Sequence, residues 1–273
     1  MEIFSKNYKT SSFSLFFLFD NHEGNINHNR KAWLTAINYI KQTKQKRPVM
    51  TVLGGDMADC INTKDPRFAP TEISKKYSIN DLKDLPQKQM QVVVDDLRPI
   101  QDTIECALYG NHEEAFIKHS GTDIFSLMET KLKFKRLGYE GVICLELDHE
   151  GDKLPLKIVV SHGTGGGGFL PGYALNTCMK LFEKWVDCDY HIMGHIHKLE
   201  ARAFDYLTIK DNKLNYVTKW FGVGGTFLET YKEGTRNYFE SKKGMLADTG
   251  FLELKAIYKG GWNHKLVSHK MQR

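Results

Sequence analysis

The sequence has few cysteines, no membrane-length apolar run and no block of like charge, and each shortage removes a class of protein. Its five cysteines, Cys60, Cys106, Cys144, Cys178 and Cys188, are an odd set without a Cys-x-x-Cys pair. Neither a disulfide framework nor a thiolate zinc site fits them, and a reducing, cytoplasmic setting is expected. The longest apolar stretch, Phe13 to Phe19, falls far short of the ~20 residues that span a bilayer, and no signal-peptide cleavage pattern surrounds it. It reads as a buried strand, and no membrane partner is expected. The 38 basic and 33 acidic residues are intermixed, and a formal charge of +5 mildly favours anionic partners without singling out nucleic acid. No internal repeat and no separate DNA-binding motif is present.

What is present suits one globular domain over residues 1–273, with 41% hydrophobic and 26% charged residues. Short runs rich in Val, Ile, Leu and Phe recur at Phe13 to Phe19, Val49 to Leu53, Thr103 to Leu108, Lys157 to Val160 and His191 to Met193. Each is followed within two residues by Gly, Asp or His, and helix-like spacing lies between several of them, the pattern of an α/β fold. Helices are expected at Asn27 to Lys41, with Trp33, Ile37 and Ile40 on one face, and at Asn176 to Val186. Pro66, Pro70 and Pro86 argue for a surface excursion leading into a helix that ends near Pro99. The stretch 61–98 reads equally as a lid or as a plain connecting insertion. Strand-like segments at Lys213 to Val223, Gly250 to Tyr258 and Asn263 to Ser268 predict a second sheet.

Five short motifs carry the chemistry: Asp20-Asn21-His22, Gly55-Asp56-Met57-Ala58-Asp59, Gly110-Asn111-His112-Glu113, Ser161-His162-Gly163 and Gly194-His195-Ile196-His197. Each follows a predicted strand, and the carboxyl ends of strands in open α/β sheets form the crevice where ligands bind. Carboxylate and imidazole ligands together suit first-row divalent ions. Asp20, His22, Asp56, Asn111, His162, His195 and His197 exceed what one ion needs, so two are implied. Manganese is the first expectation, with iron, zinc, nickel or magnesium as alternatives. Two ions roughly 3.5 to 4 Å apart polarise a phosphoryl oxygen and acidify a shared water, giving hydroxide near neutral pH. Ions and a nearby imidazolium suit the charge that grows on the leaving oxygen of a phosphate ester.

These motifs, in this order and over most of the chain, resemble the calcineurin-like metallophosphoesterase superfamily. The resemblance implies a four-layer αββα sandwich of two mixed sheets flanked by helices. It also implies one metal on Asp20, His22 and His197, a second on Asn111, His162 and His195, and Asp56 bridging both. His112 would act near the leaving group, with Asp59 keeping it protonated as in the phosphoprotein phosphatase branch. That branch continues with Arg-Gly, whereas Cys60-Ile61 follows here, removing a phosphate clamp and arguing against protein phosphatase activity. Leu97-Arg98-Pro99-Ile100, the run from His162 through Gly165 to Gly168, and Gly225-Thr226-Phe227-Leu228-Glu229-Thr230-Tyr231 resemble instead the phage and bacterial members.

The expected function is hydrolysis of a phosphate mono- or diester, on a nucleotide or nucleic acid among other substrates, by a metal-bridging hydroxide. The competing reading is a catalytically silent metal-binding scaffold, against which the full ligand set and His112 count. The oligomeric state is left open. The glycine run lacks the Lys and Ser/Thr of a P-loop and reads as a loop beside His162. His28, His119, His149, His191, His264 and His269 lack a motif and read as surface or packing residues.

Overall fold

The computed structural model describes residues 1–165, 170, 172–231, 233–234 and 246–271. Gly166 to Gly168 of the glycine run lie outside the described residues. The first half of the chain forms β1 (Glu2–Lys9), β2 (Ser12–Leu18), α1 (Arg30–Lys44), β3 (Val49–Leu53), α2 (Leu85–Leu97), β4 (Ile104–Ala107), α3 (Asn111–Ser120), α4 (Phe125–Leu132) and β5 (Lys135–Arg136). The second half forms β6 (Glu140–His149), β7 (Asp152–Ser161), α5 (Tyr173–Leu181), β8 (Tyr190–Met193), β9 (Leu199–Lys210), β10 (Lys213–Gly224), β11 (Gly250–Tyr258) and β12 (Trp262–Lys270). No helix among the described residues is long and apolar enough to cross a membrane.

Two mixed six-stranded sheets with flanking helices build an α/β sandwich, as expected, but the three late strands do not share a second sheet: β10 pairs with β8, whereas β11 and β12 extend the sheet of β2. One sheet has the order β1-β6-β7-β8-β10-β9, the other β12-β11-β2-β3-β4-β5. The largely apolar run of β2, interrupted by Ser14, follows from burial on both faces. Phe13, Leu15, Phe17 and Phe19 point between the sheets and pack with Val52, Ile143, Ile158 and Leu254. Phe16 and Leu18 point outward under Trp33, Ile37 and Ile40 of α1. Each such Phe contributes about 1.5 to 3 kcal/mol through its removal from water. On the outer face of the other sheet, Val159 and Val223 pack beneath Leu175 and Cys178 of α5.

The helices form where spacing and caps agree. Asn29 caps α1 by accepting the Ala32 N–H at 2.9 Å, and Lys41 and Lys44 complement its carboxyl end before Pro48. The second expected helix is shifted: α5 starts at Tyr173 and stops at Leu181, short of Val186. Apolar spacing continues through Trp185 and Val186, but the chain turns there to enter β8, leaving Val186 71% exposed. The excursion after Cys60 makes two short 3-10 turns, Pro70–Glu72 and Ile79–Lys83, before α2. Pro70 opens the first turn and Pro86 lies in the first turn of α2, where neither costs a helical hydrogen bond.

Glu253 on β11 is a buried carboxylate far from the motifs in sequence. It accepts Ser14 Oγ–H at 2.6 Å and lies 2.8 Å from His269 Nε2. Burial alone would raise its pKa, but these partners hold it below its ordinary 4.5. A depressed carboxyl pKa contributes stability above the unfolded value that is lost as pH falls through the folded one. Urea midpoints of the parent should therefore fall below about pH 4.5 more steeply than those of Glu253→Gln. Parallel curves for the two proteins would remove this group from the acid response.

Candidate metal centre

The parallel strands β2, β3 and β4 of one sheet and β7 and β8 of the other end at the edge where the five motifs meet. Asp20 and His22 follow β2, Asp56 and Asp59 follow β3, and Asn111 and His112 open α3 after β4. His162 follows β7, and His195 and His197 follow β8. Asp20, His22, Asp56, His195 and His197 all have positive φ, between 49° and 66°. Such backbone is sparsely populated for residues with a Cβ and costs on the order of 1 to 3 kcal/mol per residue. It turns each side chain sharply off its strand into the common crevice. The glycines allow the turns to touch: a Cβ on Gly110 would lie 2.1 Å from Asp56 Oδ1.

Three groups of ligand atoms result, each within 4.8 Å of one another: Asp20 with His22 and His197, Asp56 with His162 and His195, and His22 with Asp59 and His112. In the first, His22 Nε2 and His197 Nε2 are 3.2 Å apart, at 3.9 and 3.5 Å from Asp20 Oδ1. That carboxylate oxygen is buried without a hydrogen-bond partner, while Oδ2 accepts the His195 N–H at 2.8 Å. An unpartnered buried carboxylate oxygen is costly unless a cation neutralises it.

In the second group, His162 Nδ1–H donates to the Gly54 carbonyl at 2.9 Å, which turns Nε2 towards the crevice. Nε2 then faces Asn111 Oδ1 at 3.1 Å and Asp56 Oδ2 at 3.3 Å. Three acceptors converging on one point call for a positive charge, either a second proton or a metal ion. The electrostatics agree: burial alone would depress His162, yet the Asp56 carboxylate pushes it up to about 10. Burial keeps His22 and His195 below their ordinary values and so neutral, the form a metal binds. Asp20 and Asp56 stay ionised despite burial because of the imidazoles around them. The donor set fits divalent cations bound through nitrogen and oxygen.

His112 and Asn111 border the accessible side, each partly exposed, whereas Asp20, His22, Asp56 and His162 are buried. The His112 N–H donates to Asp56 Oδ1 at 2.8 Å, and its Nδ1–H donates to the Asp59 carbonyl at 2.6 Å. The Asp59 carboxylate is 3.6 Å from that nitrogen but 3.2 Å from His22 Nδ1. The expected pairing of Asp59 with His112 is thus met more closely by its main chain than by its side chain.

Three further residues shape the centre. Glu113, buried at the third position of α3, accepts the N–H groups of Asp56, Met57 and Gly110 at 3.0, 2.8 and 3.1 Å. It thereby ties the β3 and β4 motifs together, and burial with the Asp56 charge pushes its pKa up to about 7. Its place three residues after the helix cap was the signal available in the sequence. Glu23, fully buried, contacts His28, Lys76 and Tyr77, fixing the excursion against the loop after β2. Arg67, forked on Asp65 at 3.1 and 2.8 Å, acts electrostatically on Asp56, Asp59 and His112. It brings a guanidinium near the centre from a segment without any motif. His28 and His269 pack against buried carboxylates, as the packing reading of the motif-free histidines expects.

No protein-family model matches the sequence, and no curated protein matches it. Among solved structures, GAP50, the anchor in the inner membrane complex of Plasmodium, aligns over 95% of this chain and 85% of its own, at 11% identity and a TM-score of 0.41. The 5'-nucleotidase from Candida albicans SC5314 aligns over 96% of this chain at 10% identity and a TM-score of 0.36. The chain spans about half, 53%, of that nucleotidase. At such distance the chemistry rests on the site's own geometry.

Proposed function

We propose that the chain is a metal-dependent phosphoric ester hydrolase acting on a phosphate mono- or diester, with nucleotides and nucleic acids as candidate substrates. The observation that carries this reading is the pair of ligand groups around Asp20 and Asp56, with the buried Asp20 Oδ1 facing two imidazoles in one and the acceptors around His162 Nε2 in the other. Asp20, His22 and His197 would hold one divalent cation and Asn111, His162 and His195 a second, with Asp56 shared. When bound, such ions polarise phosphoryl oxygens and acidify water, and manganese is the first choice.

The chain's own groups do the rest. His112, tied through Nδ1 to the Asp59 carbonyl, keeps Nε2 free to give a proton to the departing oxygen. Asn111 and His195, partly exposed, line the face a substrate would meet.

The test is hydrolysis of aryl phosphomonoester and phosphodiester substrates by the manganese-loaded protein, before and after chelation. Turnover of at least one ester, abolished by chelator and restored by manganese, is expected. A folded protein that binds manganese and hydrolyses neither would move the assignment to a metal-binding scaffold.

A further inference from the structure

Asp59 contacts two imidazoles that the reading above places in different roles, and the distances divide its attention unequally. His112 has one N–H at Nδ1, and it is spent on the Asp59 carbonyl at 2.6 Å; the carboxylate lies 3.6 Å from the same nitrogen. His22 Nδ1 faces Asp59 Oδ1 at 3.2 Å, nearer than any other partner of that nitrogen among the described residues. Asn25 Nδ2 donates to Asp59 Oδ2 at 3.2 Å, and the Asp59 N–H donates to the Glu23 carbonyl at 2.9 Å. The carboxylate is therefore held at both ends, with one oxygen left for His22.

We propose that Asp59 is a positioning residue for His22: its carboxylate accepts the His22 Nδ1–H, fixes the ring and its tautomer, and aims Nε2 at the Asp20–His197 group. The proposal rests on the metal-centre reading and refines it. A neutral imidazole can present a lone pair from Nε2 only when its proton resides on Nδ1, and an acceptor behind Nδ1 selects that tautomer. A carboxylate there also raises the basicity of the ligand nitrogen, and losing such a partner typically costs about 10- to 100-fold in metal affinity. Asp59 thus acts on the Asp20 side of the centre, while its main chain holds His112.

Manganese titrations of the metal-stripped full chain, read calorimetrically, separate the cases for the parent, Asp59→Asn and Asp59→Ala. The Asn side chain keeps an acceptor oxygen for His22 Nδ1–H but not the charge that would favour a protonated His112. Expected are two manganese equivalents in the parent, about 10- to 100-fold weakening of one equivalent in Asp59→Ala, and a smaller weakening of the same equivalent in Asp59→Asn, which keeps the acceptor but not the charge. Parental binding by Asp59→Ala would overturn the proposal. A parent that binds no manganese would instead overturn the metal-centre reading. Nitrogen-15 spectra of the parent imidazoles test the point without a variant: a proton on His22 Nδ1 is expected, and one on Nε2 would overturn it even if Asp59→Ala does not fold.

Discussion

Asp56→Asn should hydrolyse phosphate esters on the order of 10³-fold more slowly than the parent, several kcal/mol of transition-state stabilisation. Asp56 is almost wholly buried, with Oδ2 3.3 Å from His162 Nε2 and Oδ1 on the His112 N–H at 2.8 Å. Its charge is also what holds His162 at about 10 against burial, so it dominates the field that would draw a cation into this group. An amide of the same shape removes that charge and directs a donor or a weaker acceptor at the crevice. Manganese affinity should fall together with the rate, while circular dichroism stays parental because the fold's hydrophobic layers are untouched. A variant within tenfold of the parent rate at saturating manganese would contradict the role given to Asp56.

The second large effect is expected at His112, and it should depend on the leaving group. His112→Gln should lower kcat about 10²- to 10⁴-fold for alkyl phosphate esters, whose alkoxide needs a proton, and far less for aryl esters with acidic phenols. Manganese binding should be unchanged, because His112 gives its Nδ1–H to a carbonyl and shares a ligand group only with His22 and Asp59, not with Asp20 or Asp56. The pH profile adds a sign. Burial alone would depress His112, but the Asp56 and Asp59 carboxylates raise it above its ordinary 6.5. The protonated, active form therefore persists above that pH, and the parent rate should decline on the alkaline side as the proton is lost. His112→Gln should lose that alkaline limb. Equal rate losses for alkyl and aryl esters would show that His112 does not protonate the leaving group.

Much of the architecture was legible because the signals are local. The runs of β2, β3 and β8 are mostly apolar since both faces are covered, and such runs stand out without alignment. β9 is the opposite case: an edge strand with half its residues exposed and none fully buried, whose polar and apolar residues alternate too loosely to declare it. β1 likewise lies at a sheet edge, with five of its eight residues exposed. The expected end of α5 failed for a different reason, since its apolar spacing runs on past the point where the chain must turn into β8.

The linear sequence by itself determined the residue types of the five motifs and their order, because each motif sits a few residues beyond a readable strand, and strand ends on one edge of two facing sheets converge. Only the tertiary structure decided which acceptor each imidazole uses. His22 and Asp59 are 37 positions apart, and Glu113 reaches Asp56 across 57. Hydrogen bonds are chosen within a few tenths of an ångström by how separate elements pack, and that packing is the product of the whole core. The same holds for Arg67, whose place near His112 comes from the path of the excursion after Cys60 and from no motif of its own.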